Sequence, residues 1–142
     1  MSGQSLIDAA RAQVEAFNSA DWDRLEAGLT PDSVYDEVGT GRRAEGREAI
    51  LELLQAWKET MPDAAGTVTS ALASGNEVVL ELTWKGTMTG SWGDIPATGK
   101  GQTTRAAWFL SFSGEAVSES RHYFDSLALL QELGVMPEPA SV

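Results

Sequence analysis

The fold is decided by a stretch near the end of the chain, which reads Arg121-His122-Tyr123-Phe124-Asp125 and continues as SLALLQELG over residues 126–134. The first five residues predict the aromatic end of a strand, and the apolar spacing that follows predicts a short amphipathic helix. Asp125 stands at the junction, where two roles are open. It either caps the helix, which Asp does well, or acts as a general base at a cavity mouth. The two roles do not exclude each other.

The composition limits the classes of function. The 142 residues predict one domain over 1–136 with a flexible tail at 137–142. The chain has no Cys, so disulfides and thiolate chemistry are excluded. It has a single His, so no metal site of several His can form within one chain, and we expect no metal.

The charge and hydropathy of the chain indicate its surroundings. There are 21 acidic residues against 10 Lys and Arg, which gives a net charge of -11. Such an acidic chain is expected to bind nucleic acid poorly, because the neutralisation of phosphate charges dominates that affinity. It is also expected to bind anionic membranes poorly. We see no secretory signal and no apolar run near the roughly 20 residues that span a bilayer. We therefore expect a cytoplasmic protein.

The order of elements predicts an α+β domain. Helices are predicted at 5–20, 22–29, 47–61 and after Asp125, and strands at 33–37, 67–73, 77–89, 103–113 and 116–125. Residues 90–99 are a longer connection, which would be either a lid or a wide hairpin. Helices segregated from a mainly antiparallel sheet make an α+β fold. A long, bent sheet wrapped on the helices makes a cone whose open end is a natural small-molecule cavity.

Segments along nearly the whole chain resemble one family, the SnoaL-like polyketide cyclases of the nuclear transport factor 2-like cone fold. The matching segments are FNSADWD (17–23), GREAI (46–50) leading to Trp57, MPD (61–63), GTMTG (86–90), IPATG (95–99), and 121–125 followed by LLQELG. The resemblance implies a cofactor-independent enzyme that closes a ring by intramolecular aldol chemistry. It implies that the carboxylate at the position of Asp125 is the acid/base group.

Partners for Asp125 follow from the period of two in a strand. Arg121 and Tyr123 would share its face and could bind an enolate oxygen, although a surface ion pair of Arg121 with Glu119 and a core position for Tyr123 are the simpler roles. His122 would point to the other face, where packing is the simpler role, and it is the second choice for acid/base work. A β-bulge would exchange these assignments.

Further site residues are expected around the cavity. Tyr35, Asp36 and Glu37 lie on the short strand that borders the pocket in relatives, and one of the two carboxylates must face inward. Met88 stands where many relatives carry His, so one polar contact is replaced by an apolar wall. Ser111 and Gln102 are further hydrogen-bonding side chains of that region. The expected walls for a flat, hydrophobic substrate are Trp57, Trp84, Trp92, Trp108 and Phe109.

Other functions remain open beside ring closure. An epoxide hydrolase would need Asp36 or Glu37 to converge with Asp125 on a water molecule, and a non-catalytic binder of a hydrophobic small molecule would need no base. A designed scaffold is a further alternative, against which the irregular loops argue. The resemblance implies a homodimer or homotetramer in which a second copy covers the outer face of the sheet. Val79, Leu110 and Phe112 could contribute to this face, depending on the register of the strands.

Overall fold

The computed structural model describes residues 2–136, so the predicted tail at 137–142 lies outside the described residues. Its helices are α1 (Gly3–Asn18), α2 (Trp22–Ala27), α3 (Arg47–Thr60) and α4 (Ser126–Glu132). Its strands are β1 (Leu29–Glu37), β2 (Arg42–Glu45), β3 (Ala65–Ser74), β4 (Glu77–Thr87), β5 (Gly101–Ser113) and β6 (Ala116–Phe124).

The strands form one mixed sheet in the order β2-β1-β6-β5-β4-β3. Strands β1 and β6 are parallel, and the other neighbours are antiparallel. Helix α1 packs on β3 and β4, α3 packs on β1 and β2, and α4 packs on β5. This is the predicted α+β architecture, with the helices gathered on the inner face of the sheet.

The first strands differ from the prediction. The helix predicted at 22–29 ends at Ala27, and the strand predicted at 33–37 already begins at Leu29 as β1. Pro31 is tolerated there because the pairing of β1 with β6 is irregular between Leu29 and Val34, where no ladder N–H is needed. Strand β2 is not among the predicted strands. It forms because the turn after Glu37 folds the chain back onto β1.

The core lies between α1 and the inner face of the sheet. Leu6, Ala10, Val14 and Phe17 form the buried stripe of α1. Leu110 and Phe112 face this core and are 0% and 4% exposed, so their expected place on the outer face is wrong. Alternation along β5 turns them inward together with Trp108. Among residues 2–136, no helix is long and apolar enough to cross a membrane.

Candidate functional site

A cavity of about 70 Å³ lies between the inner sheet face and the helices. It is lined by Phe17, Leu25, Tyr35, Glu37, Leu54, Trp57, Met61, Ala64, Trp84, Gln102, Thr104, Trp108, His122, Phe124 and Leu129. Most of this surface is apolar or aromatic, and a few polar groups converge on it. Such a surface is typical of a small-molecule site.

The polar groups cluster where β1 lies beside β6. The pleat of β1 turns Tyr35 and Glu37 inward, and both side chains are buried. Glu37 is in register with His122 on β6, and His122 is in register with Trp108 on β5. The cluster therefore stands on three adjacent strands, which are rigid elements.

Glu37 is a fully engaged carboxylate. Its Oε1 accepts hydrogen bonds from the Thr40 hydroxyl at 2.6 Å and from Arg42 Nη2 at 2.6 Å and Nε at 3.0 Å. Its Oε2 accepts from Trp57 Nε1 at 2.9 Å and from the Tyr35 hydroxyl at 3.3 Å. The Arg42 guanidinium also lies over the Trp57 ring, 5.4 Å from its centroid. With five donors around it, Glu37 is a fixed anion with no lone pair left for a substrate proton.

The partners of His122 determine its tautomer. Trp84 Nε1 lies 3.0 Å from His122 Nε2, and an indole N–H can only donate, so Nε2 carries no proton. The proton of the neutral ring is then on Nδ1, which lies 2.8 Å from the Tyr35 hydroxyl oxygen. Tyr35 accepts this bond and donates its own proton to Glu37. The hydrogen bonds thus run in one direction from Trp84 through His122 and Tyr35 to Glu37.

The charge states agree with this direction. Burial lowers the pKa of His122 to about 4, against an opposing effect of the Glu37 charge, so the imidazole is neutral at neutral pH. Burial and the same charge raise the pKa of Tyr35 well above its ordinary value, so the phenol keeps its proton.

Asp125 lies outside the cavity. Its Oδ1 accepts a hydrogen bond from the Ala128 backbone N–H at 3.0 Å, and it is the N-cap of α4, which confirms the capping role. The residue is exposed and does not border the cavity, in contrast to the expected place at a cavity mouth. The reason is the pleat of β6, which turns His122 inward instead.

The residues expected to share a face with Asp125 do share one, and it is the outer face. The Arg121 guanidinium lies over the Phe109 ring at 5.1 Å and 3.7 Å from Glu77, and Phe109 packs edge-on against Tyr123 at 5.6 Å. Asp36 is paired with Arg121 across the sheet. These four predicted site residues (Asp36, Phe109, Arg121 and Tyr123) are therefore brought together away from the cavity.

Only some of the aromatic residues expected to form the walls line the cavity. Trp57, Trp84 and Trp108 line the cavity, whereas Trp92 packs on Trp57 with ring centroids 5.3 Å apart. Met88 is fully buried beside the Thr98 hydroxyl and does not line the cavity.

The connection after β4 is held close to α3. Gly90 is required there because a Cβ would lie 1.9 Å from the Glu59 carbonyl oxygen. Its N–H donates to the Thr60 carbonyl at 3.0 Å.

Three polar residues of the site were missed. Thr40 and Arg42 come from the turn and strand that follow Glu37, where no strand was predicted. Thr104 lies on β5 two positions after Gln102 and faces inward with it. Strict alternation back from Trp108 would have identified Thr104, but no local signal points to Thr40 and Arg42, because their role depends on the β1–β2 pairing.

Known structures share this fold. A protein with a ketosteroid isomerase-like fold from Catenulispora acidiphila is 20% identical, with a TM-score of 0.78 over 89% of this chain and 92% of that chain. IdmH from Streptomyces antibioticus, a candidate polyketide cyclase, is 25% identical, with a TM-score of 0.78 over 89% and 96%. An LEH-like epoxide hydrolase from M. tuberculosis is 20% identical, with a TM-score of 0.76 over 94% and 92%.

The family assignment comes from sequence. No curated protein sequence matches the chain. The family model described as SnoaL-like polyketide cyclase matches residues 7–133, which include every element from α2 to α4 and most of α1. The protein belongs to the SnoaL-like polyketide cyclase family.

Proposed function

We propose that the protein is a cofactor-independent enzyme that closes a ring by intramolecular aldol chemistry in a hydrophobic, polyketide-like ketone, with His122 as the general base. The observation that carries the proposal is a buried, neutral imidazole of defined tautomer in a mostly apolar and aromatic cavity. Family membership supports the class of reaction. The proposal places the acid/base role on His122 and leaves Asp125 as a helix cap.

The proposed step uses the free nitrogen of the ring. His122 Nε2 takes a proton from a carbon next to a carbonyl, and the enolate attacks a second carbonyl of the same molecule. A C–C bond forms, and the imidazolium returns the proton to the new alkoxide. Tyr35 and Glu37 stabilise the imidazolium through its Nδ1–H. A positioned general base contributes about 10²–10⁴-fold, and the folding of the substrate in the cavity contributes further.

Trp84 must move for this step to occur. Its N–H occupies the one lone pair of Nε2 that could take a proton. The cavity of about 70 Å³ is also smaller than the roughly 300–1,000 Å³ of ordinary ligand pockets. Displacement of the indole by substrate would free the base and enlarge the cavity together.

Hydrogen exchange tests the proposal without knowledge of the natural substrate. We would incubate 1-tetralone, a flat bicyclic ketone, with the protein in D₂O and follow loss of its α-hydrogens by NMR. The wild-type protein should accelerate exchange, and His122→Gln should lower the accelerated rate by about 10²–10⁴-fold. A folded His122→Gln variant that exchanges as fast as wild type would remove His122 as the base. Saturable binding without any exchange by wild type would instead favour the non-catalytic binder.

Epoxide hydrolysis has less support. Its two-carboxylate form requires Asp36 or Glu37 to converge with Asp125 on a water molecule. Within residues 2–136, Glu37 is the carboxylate that lines the cavity, and its oxygens are already occupied by five donors. Asp36 and Asp125 both lie away from it.

A further inference from the structure

Gln102 lies at the opposite end of the cavity from the acid/base cluster. It is six residues from Trp108 on the same strand, which corresponds to roughly 20 Å along β5. Both side chains face inward, and Trp108 is in register with His122. Trp84 and Phe124 are in register with Thr104 and Ala106, which lie between Gln102 and Trp108 on β5, and Phe17 packs on Trp84. The cavity therefore has polar groups at each end and an aromatic middle.

The side-chain amide of Gln102 has an incomplete set of partners. The residue is only 5% exposed, and its Oε1 accepts from the Thr104 hydroxyl. Among residues 2–136, the acceptor for its Nε2 is the Met61 sulfur at 3.7 Å, and a thioether is a weak acceptor. This arrangement fixes the orientation of the amide, because a flipped amide would present its oxygen to a sulfur that has no proton. A buried donor with so poor a partner is costly unless another acceptor completes it.

Within the described part of the chain, the other side-chain donors of the cavity are occupied, with one exception. The indole of Trp84, the indole of Trp57 and the hydroxyl of Tyr35 all have nitrogen or oxygen acceptors. Trp108 Nε1 has no acceptor among residues 2–136, but it is enclosed by protein, so an oxygen cannot approach it without rearrangement. Gln102 also borders a second, polar surface hollow of about 310 Å³ that includes Asp63, Lys85 and Glu132. This is the end of the cavity where a polar group of a substrate is expected.

We infer that Gln102 Nε2 binds a carbonyl oxygen of the substrate at the end remote from the carbon that His122 deprotonates. The substrate is then an elongated, flat ketone with a hydrogen-bond acceptor at each end of an aromatic or apolar body. This inference deepens the proposed function and rests on it for the role of His122. Its test is a binding measurement that does not depend on turnover.

The test compares two isosteric probes, acetophenone and α-methylstyrene, in which C=CH₂ replaces C=O. Dissociation constants of both are measured by NMR titration for wild type, Gln102→Met and Trp108→Phe. Met matches Gln closely in length and volume, so the amide is removed with little change in packing. We define the carbonyl preference as the dissociation constant of α-methylstyrene divided by that of acetophenone. Gln102→Met should lower this ratio by about two- to tenfold relative to wild type. Trp108→Phe should leave this ratio unchanged.

A second readout requires no variant. In ¹⁵N-labelled wild type, the Gln102 side-chain NH₂ signals should move on addition of acetophenone and not on addition of α-methylstyrene. An unchanged ratio in Gln102→Met would overturn the inference, as would a lower ratio in Trp108→Phe alone or no binding of either probe to wild type. Loss of carbonyl preference in Gln102→Met without ketone exchange by wild type would support the inference and remove the acid/base proposal. Ketone exchange that depends on His122, together with an unchanged ratio of dissociation constants in Gln102→Met, would support the acid/base proposal and overturn the inference.

Discussion

At the scale of single residues, the pleat of β6 decides which side chain of the strand reaches the cavity. Val117 is buried, and alternation from it would turn residues 119, 121 and 123 inward. The register shifts where Ser111 pairs with Glu119 and Phe112 with Val117, which leaves Ser118 as an extra residue. After this bulge, Ser120 and His122 are the buried residues. Sequence periodicity predicts which residues share a face, but it cannot predict the inner face when a bulge intervenes.

The first prediction separates the two roles considered for Asp125. Asp125→Asn should keep the exchange of 1-tetralone within about threefold of wild type and leave stability nearly unchanged, because Asn is as good an N-cap as Asp. Asp125→Ala should cost about 1 kcal/mol of unfolding free energy, because the Ala128 N–H loses its acceptor. Exchange kinetics and urea denaturation measure both effects. A loss of 10²-fold or more in folded Asp125→Asn would return the acid/base role to this residue.

The second prediction concerns His122 and pH. Its folded pKa is about 4, and an unfolded His has a pKa near its ordinary value of 6.5. Between these values the unfolded chain binds a proton that the folded chain does not, so stability is full above about pH 6.5 and falls as the pH is lowered towards 4. The loss is on the order of 3 kcal/mol across this window.

Urea denaturation at several pH values measures this contribution. In His122→Gln, the part of the slope between pH 4 and 6.5 that comes from His122 should disappear, whatever the absolute stability of the variant. Equal slopes in wild type and variant would mean that the imidazole is not held neutral by the fold.

At the scale of elements, the parallel pairing of β1 with β6 assembles the cluster, and β4 adds Trp84 from two strands away. The third prediction uses the fact that His122 is the only histidine, so that ¹⁵N-histidine labelling reports on it alone. Wild type should show a protonated Nδ1 and an unprotonated Nε2 from pH 5 to 8. In Trp84→Phe, Nε2 loses its donor, so the tautomers should mix and the pKa of His122 should rise from about 4.

The matched control is Trp92→Phe. Its indole packs on Trp57 and makes no contact with His122, so this variant should leave the tautomer and the pKa unchanged. A protonated Nε2 in wild type, or identical spectra for wild type and Trp84→Phe, would contradict the assigned chain of hydrogen bonds.

The elements differ in how far sequence predicted them. Helices α1 and α3 and the hairpins β3–β4 and β5–β6 were predicted to within a few residues, because their apolar periods and turn residues are local signals. Strand β2 was missed, since its four residues carry no alternating pattern and form a strand only by pairing with β1. The Glu37 cluster could be predicted only in part for the same reason. Glu37 and Tyr35 were expected at the pocket, but Thr40 and Arg42 reach Glu37 through that pairing.

At the scale of the whole molecule, the outer face of the sheet carries a row of apolar side chains. Leu72, Val79 and Phe109 are neighbours across β3, β4 and β5, and Tyr123 packs against Phe109. Leu72 is 69% exposed and Tyr123 is 41% exposed. A contiguous exposed apolar surface is typical of an interaction site. The expected homodimer or homotetramer stays a prediction, and this row is the surface we propose for it, in place of Leu110 and Phe112.

The last prediction follows from this row and from the net charge. Two chains that each carry a charge of -11 repel each other, so association through the outer face should strengthen as salt screens the charge. Sedimentation velocity at about 20 mM and 300 mM salt should show a shift from monomer towards dimer. Leu72→Lys should keep the chain monomeric at both salt concentrations, because dimerisation would bury an unpaired ammonium. Gln4→Lys on α1 makes the same change of charge on the opposite layer and should sediment like wild type. If Leu72→Lys forms dimers at the same protein concentration as wild type, the outer face is excluded as the dimer interface. A Lys buried in that interface would lower the affinity between the two copies.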